Sequence, residues 1–247
     1  MRFLLVDNSN TRTKLRLSSP EALNEWHCVI PTQEISKEKL ASSLEGISWD
    51  AALVSSVVPA KAEVMRSFFS TKPSHFLSHR SNLPIGIDYP QPEQIGADRL
   101  ANASAAHALY GSPSVVLDFG TAVTFDIIAH SPDGNPVYQG GVIAPGLASM
   151  TEGLARRTAL LPHIELEEPE RAIGKSTEQA MLAGAVYGYR GLVREILNQI
   201  QGEIPQEATI IATGGDATLI SRGLPEINHH CPQLTLEGLR IIANLNL

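Results

Sequence analysis

The feature that most constrains this chain is a short pattern that occurs twice. In each copy an apolar strand ends on an aspartate and passes at once into small polar residues and a threonine, over residues 3–11 and again over residues 115–121. The two aspartates, Asp7 and Asp118, lie close to half a chain length apart in a protein of 247 residues. Such a turn offers a carboxylate and several backbone N–H groups, which suit phosphate oxygens and the hydrated metal that accompanies them. We therefore expect two turns that grip one nucleotide from opposite sides of a cleft.

The length of the chain allows one large domain or two smaller ones, and the duplicated pattern favours two. An alanine-rich helix is predicted to end at Tyr110, and Gly111-Ser112-Pro113 stops it, so we place the boundary between residues 1–112 and 113–247. Hydrophobic residues make up 43% of the chain and charged residues 18%, which is typical of an ordered globular protein.

Hydrophobic periodicity predicts mixed sheets flanked by helices. The late Thr213-Gly214-Gly215-Asp216 follows a predicted strand, and its glycines allow backbone to approach a ligand. The segment 140–146 is predicted to be a loop. Strands are predicted over 3–6, 14–17, 51–54, 114–117, 122–128 and 209–212, and helices over 60–70, 100–110, 147–159 and 177–200.

Charge and cysteine usage narrow the function classes. There are 19 basic and 26 acidic residues, a formal net charge of −7, and no run of Lys or Arg, so nucleic acid is not expected as a partner. No run of 18 apolar residues occurs and no signal-peptide core precedes Asp7, so we expect no membrane association and no export. Cys28 and Cys231 form no metal or disulfide spacing, which indicates a reduced, cytoplasmic setting.

Several further motifs occur in a fixed order along the chain. The two aspartate turns and the late glycine pair resemble the nucleotide-binding architecture of the acetate and sugar kinase, Hsp70 and actin superfamily, which has two ribonuclease H-like, actin-like halves. Within that superfamily, the ordered set resembles the type III pantothenate kinases over nearly the whole chain. The motifs are Asp7-x-x-Asn10-Thr11-x-x-Lys14, Ser55-Ser56-Val57-Val58-Pro59, Tyr89, Gly96-Ala97-Asp98-Arg99, Asp118-x-Gly120-Thr121-Ala122 and Gly140-Gly141-x-Ile143-x-Pro145-Gly146.

The resemblance implies ATP-dependent phosphorylation of the primary hydroxyl of pantothenate, the first step towards coenzyme A. It also implies a homodimer, a monovalent cation (K⁺ or NH₄⁺) and Mg²⁺ bound with ATP. By position, the resemblance assigns Asp98 as the proton acceptor and Asp118 as the cation ligand. The ATP residues are then Asp7, Asn8, Ser9, Asn10, Thr11, Arg12, Thr13, Lys14 and Thr121, and the pantothenate residues are Tyr89, Gly96, Ala97, Asp98, Arg99 and Thr177.

The residue types suit phosphoryl transfer, which needs charge neutralisation, in-line positioning and an acceptor for the proton of the attacking hydroxyl. Lys14 can offset phosphate charge, and the carboxylate of Asp98 can take the proton. An aspartate before a helix is also commonly a first-turn residue stabilised by the helix dipole, and the two roles of Asp98 are compatible.

Other assignments have plainer alternatives. Arg99 is either a surface residue or a partner for the substrate carboxylate through a paired fork. Thr177 is equally explained as part of a helix cap, because Ser176-Thr177-Glu178-Gln179 has capping-box spacing. Tyr89 either packs over a loop or binds substrate.

One position departs from the family pattern. Ser9 stands where the pattern has glycine in the first turn, whereas Gly120 is kept in the second. Serine costs the fold almost no free energy if its φ is negative, and about 1 kcal/mol if its φ is positive.

Two other functions remain open. The first is a nucleotide-binding regulatory relative without kinase activity, which only Ser9 favours. The second is a sugar or acetate kinase, which lacks support from the Gly96–Arg99 segment.

Overall fold

The computed structural model describes residues 1–247. The chain has an α/β fold with two mixed sheets flanked by helices, as predicted, and forms two compact units. The first unit comprises Met1–Gly111, His130–Gln139 and Gln233–Leu247, and the second comprises Ser112–Ala129 and Gly140–Pro232. Two segments beyond residue 112 thus belong with the N-terminal residues by their contacts. The division into related halves at residue 112 stays a prediction.

Five strands form the first sheet: β1 (Phe3–Asn8), β2 (Arg12–Ser18), β3 (Leu23–Pro31), β4 (Ala51–Ser56) and β5 (Ser74–Phe76). Their order is β3-β2-β1-β4-β5. β1 pairs antiparallel with β2 and parallel with β4, so the turn after β1 and the carboxyl end of β4 lie at the same edge of the sheet. β3 and β5 were not predicted, although Trp26, Cys28 and Ile30 of β3 alternate with more exposed residues; β5 has only three residues.

Seven helices accompany the sheets: α1 (Lys37–Ser43), α2 (Pro59–Phe69), α3 (Ala97–Tyr110), α4 (Leu147–Arg157), α5 (Thr177–Glu203), α6 (Ala217–Ser221) and α7 (Leu234–Asn246). None of them combines the length and the apolar composition needed to cross a lipid bilayer. The predicted helices are present, α6 follows the late glycine pair, and α1 and α7 are additional.

Helices cover both faces of β1. Leu4 and Val6 belong to a core shared with Leu40 of α1 and Met65 of α2. On the other face, Phe3 and Leu5 belong to a core shared with residues of α3 and α7. A strand buried on both faces needs a continuous apolar run, which explains why residues 3–6 carry no polar residue.

Six strands form the second sheet: β6 (Gly86–Ile87), β7 (Ser114–Phe119), β8 (Ala122–His130), β9 (Pro136–Pro145), β10 (Thr209–Gly214) and β11 (His229–His230). Their order is β11-β10-β7-β8-β9-β6. The predicted loop over 140–146 is wrong in its larger part, because β9 continues to Pro145. Its glycines suggested a turn, but Gly140 takes a positive φ of 120° within a strand. In the second unit, Val115 and Leu117 of β7 share a core with Val186 and Val193 of α5.

Candidate active site

The first turn, residues 7–14, lies where β1 passes into β2. Asp7 and Lys14 are opposite each other in the register of the two strands, and Lys14 Nζ lies 3.6 Å from Asp7 Oδ2. Ser9 Oγ donates to Asp7 Oδ1 at 3.2 Å. The side chain of Asp7 is 3% exposed and that of Lys14 is 44% exposed. The carboxylate is therefore held in place, while the ammonium group stays accessible to an anionic ligand.

Ser9 fits the first turn without backbone strain. No residue other than glycine has a positive φ, so the backbone of Ser9 is one that serine adopts freely. The Ser9 N–H donates to the carbonyl of Arg12 at 3.1 Å, which closes the turn. Serine in place of glycine at this position therefore costs the fold almost no free energy.

We expect Ser9→Gly to leave the KM for ATP within about twofold of the wild-type value, because the turn does not need a glycine conformation. The free energy of unfolding should fall by about 0.5–1 kcal/mol, since glycine has more freedom to lose on folding. Steady-state kinetics and urea unfolding measure the two effects. A marked rise in the KM for ATP would instead identify the Ser9 hydroxyl as a nucleotide contact.

The predicted ATP segment divides into two sets of side chains. Asn8 and Thr13 are 1% and 0% exposed, and Asn8 Nδ2 donates to Thr13 Oγ1 at 2.7 Å beneath the turn. Asn10, Thr11 and Arg12 are exposed. The exposed side chains and that of Lys14 can therefore reach a bound ligand, whereas Asn8 and Thr13 hold the turn in shape.

The predicted acceptor segment, Gly96 to Arg99, forms the start of α3. Gly96 is the N-cap, and Asp98 and Arg99 lie in the first turn of the helix. The Arg99 N–H donates to Asp98 Oδ1 at 2.8 Å, which orients the carboxylate. A Cβ at residue 96 would lie 2.6 Å from Asp98 Oδ1, so the absence of a side chain there makes room for the carboxylate. Asp98 is half-buried, so it is both oriented and within reach of a ligand.

Aromatic rings adjoin the acceptor segment within the first unit. The Arg99 guanidinium lies 5.8 Å from the centre of the Tyr138 ring. The Tyr89 ring packs against the same ring edge to face, with centres 6.3 Å apart. Tyr89 therefore packs against a neighbouring ring, as its plainer alternative suggests. These two predicted pantothenate residues share Tyr138 as a common support.

The loop after β4 connects the first turn with the acceptor segment. Ser56 Oγ donates to Asn8 Oδ1 at 2.6 Å, and the Val57 N–H donates to the Asn8 carbonyl at 3.1 Å. A Cβ at Gly96 would lie 3.6 Å from Val57 Cγ1, so Val57 also borders the start of α3. The predicted phosphate donor site and the predicted proton acceptor are thus linked through two adjacent residues of one unit.

The second turn, residues 118–122, is enclosed by two later segments of the second unit. The Gly146 N–H and Ser149 Oγ both donate to the Thr121 carbonyl, at 3.1 and 3.0 Å. A Cβ at Gly146 would overlap the carbonyl groups of Gly120 and Thr121. The Gly140–Gly146 motif therefore provides a close approach of α4 to this turn. Thr121 itself is exposed and accessible to a ligand.

The late glycine loop follows β10 and lies against β7. Gly214 has a positive φ of 93°, and a Cβ there would overlap the backbone of Phe119. The Asp216 N–H donates to the Phe119 carbonyl at 3.3 Å, so the loop borders the second turn. Burial raises the pKa of the Asp216 carboxyl above its ordinary value. The late glycine loop therefore brings a half-buried carboxyl with a raised pKa beside the second turn.

Asp118 is half-buried at the end of β7, in register with Thr124 of β8. No group of three or more His, Cys, Asp or Glu side chains that could hold a metal ion occurs in the structure. Asp118 offers one carboxylate, which is a hard oxygen donor. The role of Asp118 as a cation ligand stays a prediction.

Thr177 is the first residue of α5 and is exposed. The helix is capped by its neighbour, since Ser176 Oγ accepts from the Gln179 N–H at 3.2 Å. The hydroxyl of Thr177 is therefore not needed for capping. Thr177 instead lines a mainly apolar cavity of about 670 Å³ in the second unit, together with Met150, Leu154, Met181 and others.

Comparison with known proteins decides the family. A sequence model of the type III pantothenate kinases matches residues 3–199. A type III pantothenate kinase of Akkermansia muciniphila is 58% identical over 247 residues, which is all of both chains. One of Methylacidiphilum infernorum is 40% identical over 98% of this chain and 88% of its own length. The chain belongs to the type III pantothenate kinase family. The resemblance inferred from the ordered motifs is confirmed.

Several solved structures have the same fold as this family member, although their sequences are at most 18% identical to it. A Campylobacter jejuni protein described as a Baf family transcriptional activator has a TM-score of 0.60 at 18% identity, over 98% of this chain and 97% of its own. A Sinorhizobium meliloti protein described as a 2-dehydro-3-deoxygalactonokinase has a TM-score of 0.60 at 13% identity, over 98% and 96%. These likenesses support the fold and carry no functional assignment.

Some residues beside the candidate site of this pantothenate kinase were not predicted. Thr32 and Ser56 hold the first turn through side-chain hydrogen bonds. Tyr138 supports Arg99 and Tyr89. Ser56 belongs to the Ser55–Pro59 motif, which could have pointed to its role at the first turn. Thr32 and Tyr138 carry no local signal, because their partners are distant in sequence.

Proposed function

We propose that this chain transfers the γ-phosphoryl group of ATP to the primary hydroxyl of pantothenate and forms 4'-phosphopantothenate. As a type III pantothenate kinase, it is an enzyme of coenzyme A biosynthesis that uses ATP with a divalent metal ion. The observation that carries the proposal is the full-length 58% identity to a curated pantothenate kinase. The geometry supports it, because the first turn and Asp98 are linked within one unit.

The proposed roles follow from exposure and charge. Backbone N–H groups of the first turn and the ammonium of Lys14 would bind the ATP phosphates, and Thr121 would contribute from the second turn. Arg99 would bind the pantothenate carboxylate beside Tyr89, and Thr177 would also contact pantothenate. Asp98 would accept the proton of the attacking hydroxyl, since its carboxylate is oriented by the Arg99 N–H.

A monovalent cation at Asp118 is part of the proposal. Such a cation would offset negative charge on the transferred phosphoryl group. The chain contributes one half-buried carboxylate at a strand end, which is a hard oxygen donor of low total charge.

A coupled assay of ADP release with purified protein, ATP and pantothenate tests the function. We expect pantothenate-dependent turnover that is higher in K⁺ or NH₄⁺ than in Na⁺ at equal ionic strength. The absence of pantothenate-dependent ADP release would reject the kinase function. Equal rates in all three salts would reject the cation and leave the kinase function in place.

We further propose that the protein is a homodimer that buries an apolar surface of the second unit. Met150 and Leu154 of α4 are 38% and 44% exposed, and the following Leu160 is 90% exposed. Large apolar side chains grouped in this way commonly mark an interface. Sedimentation equilibrium should give a dimer mass, and Leu154→Glu should shift it towards monomer. A monomer mass for the wild type at micromolar concentration would reject this part of the proposal.

The regulatory alternative loses its one supporting feature. Ser9 favoured a nucleotide binder without kinase activity only if serine disturbed the first turn. Since Ser9 adopts an ordinary backbone conformation, the turn is intact. The ADP-release assay separates the two functions, because a regulatory binder would bind nucleotide without turnover.

A further inference from the structure

Thr32 contacts the first turn from outside the segment predicted to bind ATP. It follows β3 directly and is 3% exposed. Its N–H donates to the carbonyl of Thr11 at 3.0 Å, and its hydroxyl donates to the carbonyl of Ser9 at 2.7 Å. One buried residue thus holds two carbonyl groups of the turn.

The two hydrogen bonds from Thr32 also fix the direction of two backbone N–H groups in the turn. In a trans peptide the carbonyl of one residue and the N–H of the next point in opposite directions. The cis peptide bond of this chain is Ser112-Pro113, so the peptides of the turn are trans. With the carbonyls of Ser9 and Thr11 directed towards Thr32, the N–H groups of Asn10 and Arg12 point away from it. Both residues are exposed, so a ligand can approach this part of the turn.

A directed chain of hydrogen bonds holds the Thr32 hydroxyl. Because its single hydrogen is given to Ser9, the hydroxyl must accept from Thr13 Oγ1, 3.0 Å away. Thr13 in turn accepts from Asn8, and Asn8 accepts from Ser56. Buried networks in which each group is satisfied are rigid, and the loss of one member leaves its partners unpaired.

The second turn is held in a similar way within its own unit. There one backbone N–H and one hydroxyl, from Gly146 and Ser149, both donate to the carbonyl of Thr121. In each turn a carbonyl is held by a residue that is distant in sequence. A carbonyl held in this way cannot turn towards a phosphate, whose oxygens are attracted by N–H groups and repelled by carbonyl oxygens.

We propose that Thr32 is a positioning residue of the ATP site. It holds the carbonyls of Ser9 and Thr11 inward so that the N–H groups of Asn10 and Arg12 bind the ATP phosphates. This inference deepens the proposed function and rests on it for the identity of the nucleotide.

The test compares Thr32→Val with Thr32→Ser. Valine has the shape of threonine and keeps the backbone N–H, but it loses the hydroxyl bond to Ser9. We expect the dissociation constant of a non-hydrolysable ATP analogue and the KM for ATP to rise about tenfold, which corresponds to about 1.4 kcal/mol. The KM for pantothenate should change less than twofold. Thr32→Ser keeps the hydroxyl and should recover most of the ATP affinity.

Thr235→Val is the matched control. Thr235 is 8% exposed in the same unit, and its hydroxyl donates to Asn102 Oδ1 at 2.8 Å. This variant also loses one buried hydroxyl, so its melting temperature should fall while its affinity for the ATP analogue stays unchanged.

The outcomes separate the two proposals. A wild-type protein without pantothenate-dependent turnover contradicts the proposed function, whereas the calorimetric titration with the ATP analogue still tests Thr32. Unchanged ATP affinity in Thr32→Val, or equal losses for ATP and pantothenate, contradicts the positioning role. If Thr32→Val does not fold, Thr32→Ser carries the test, and a tenfold loss of ATP affinity in that variant overturns the proposal.

Discussion

Asp98→Asn should lower turnover by about 10²-fold or more while leaving the fold and the ATP affinity nearly intact. An amide cannot take the proton of the attacking hydroxyl, and loss of a general base typically costs this factor. The fold should tolerate the change, because an asparagine oxygen can still accept from the Arg99 N–H in place of Asp98 Oδ1. Pantothenate-dependent ADP release under saturating ATP and pantothenate measures the effect.

The control for this prediction removes a carboxylate elsewhere. Asp133 is exposed in the turn between β8 and β9, and Asp133→Asn should keep wild-type turnover. Calorimetric titration with an ATP analogue and a thermal melt of Asp98→Asn check that binding and folding persist. Turnover near the wild-type rate in Asp98→Asn would show that another group accepts the proton.

Gly238→Ala should lower the free energy of unfolding by about 3 kcal/mol, the upper end of the usual cost of overpacking a core. Gly238 lies in α7, where a Cβ would overlap the backbone carbonyl of Ala101 in α3. A backbone carbonyl cannot rotate away as a side chain can, so the two helices must separate. Urea unfolding followed by circular dichroism measures the change.

Turnover should also fall in Gly238→Ala, because α3 carries Asp98 at its start. Gly191→Ala in α5 is the matched control, since nothing lies within 4 Å of the position of its added Cβ. Alanine is favoured over glycine in a helix by about 1 kcal/mol, so this variant should be as stable as the wild type or more so. A free energy of unfolding for Gly238→Ala equal to that of the wild type would mean that α3 and α7 pack less closely than described.

Local pattern was sufficient to predict most elements near the site. The apolar run before Asp7, the helix before Gly111 and the capped start of α5 each depend on neighbouring residues, and each is present. The segment 140–146 was predicted wrongly, because its glycines are typical of loops. It is largely strand because β9 lies beside β8 in the sheet and extends to Pro145, so sheet pairing overrides the local preference of its glycines.

The sequence by itself determined the family, through ordered motifs whose residue types match phosphoryl transfer, and it determined where most strands and helices lie. Only the tertiary structure decided the direction of each side chain at the first turn. Asn8 and Thr13 lie on either side of the exposed residues 10–12, yet they point inward because Thr32 and Ser56 meet them there. The physical reason is that motif and periodicity are local, whereas a buried hydrogen bond requires a partner that folding brings from another strand.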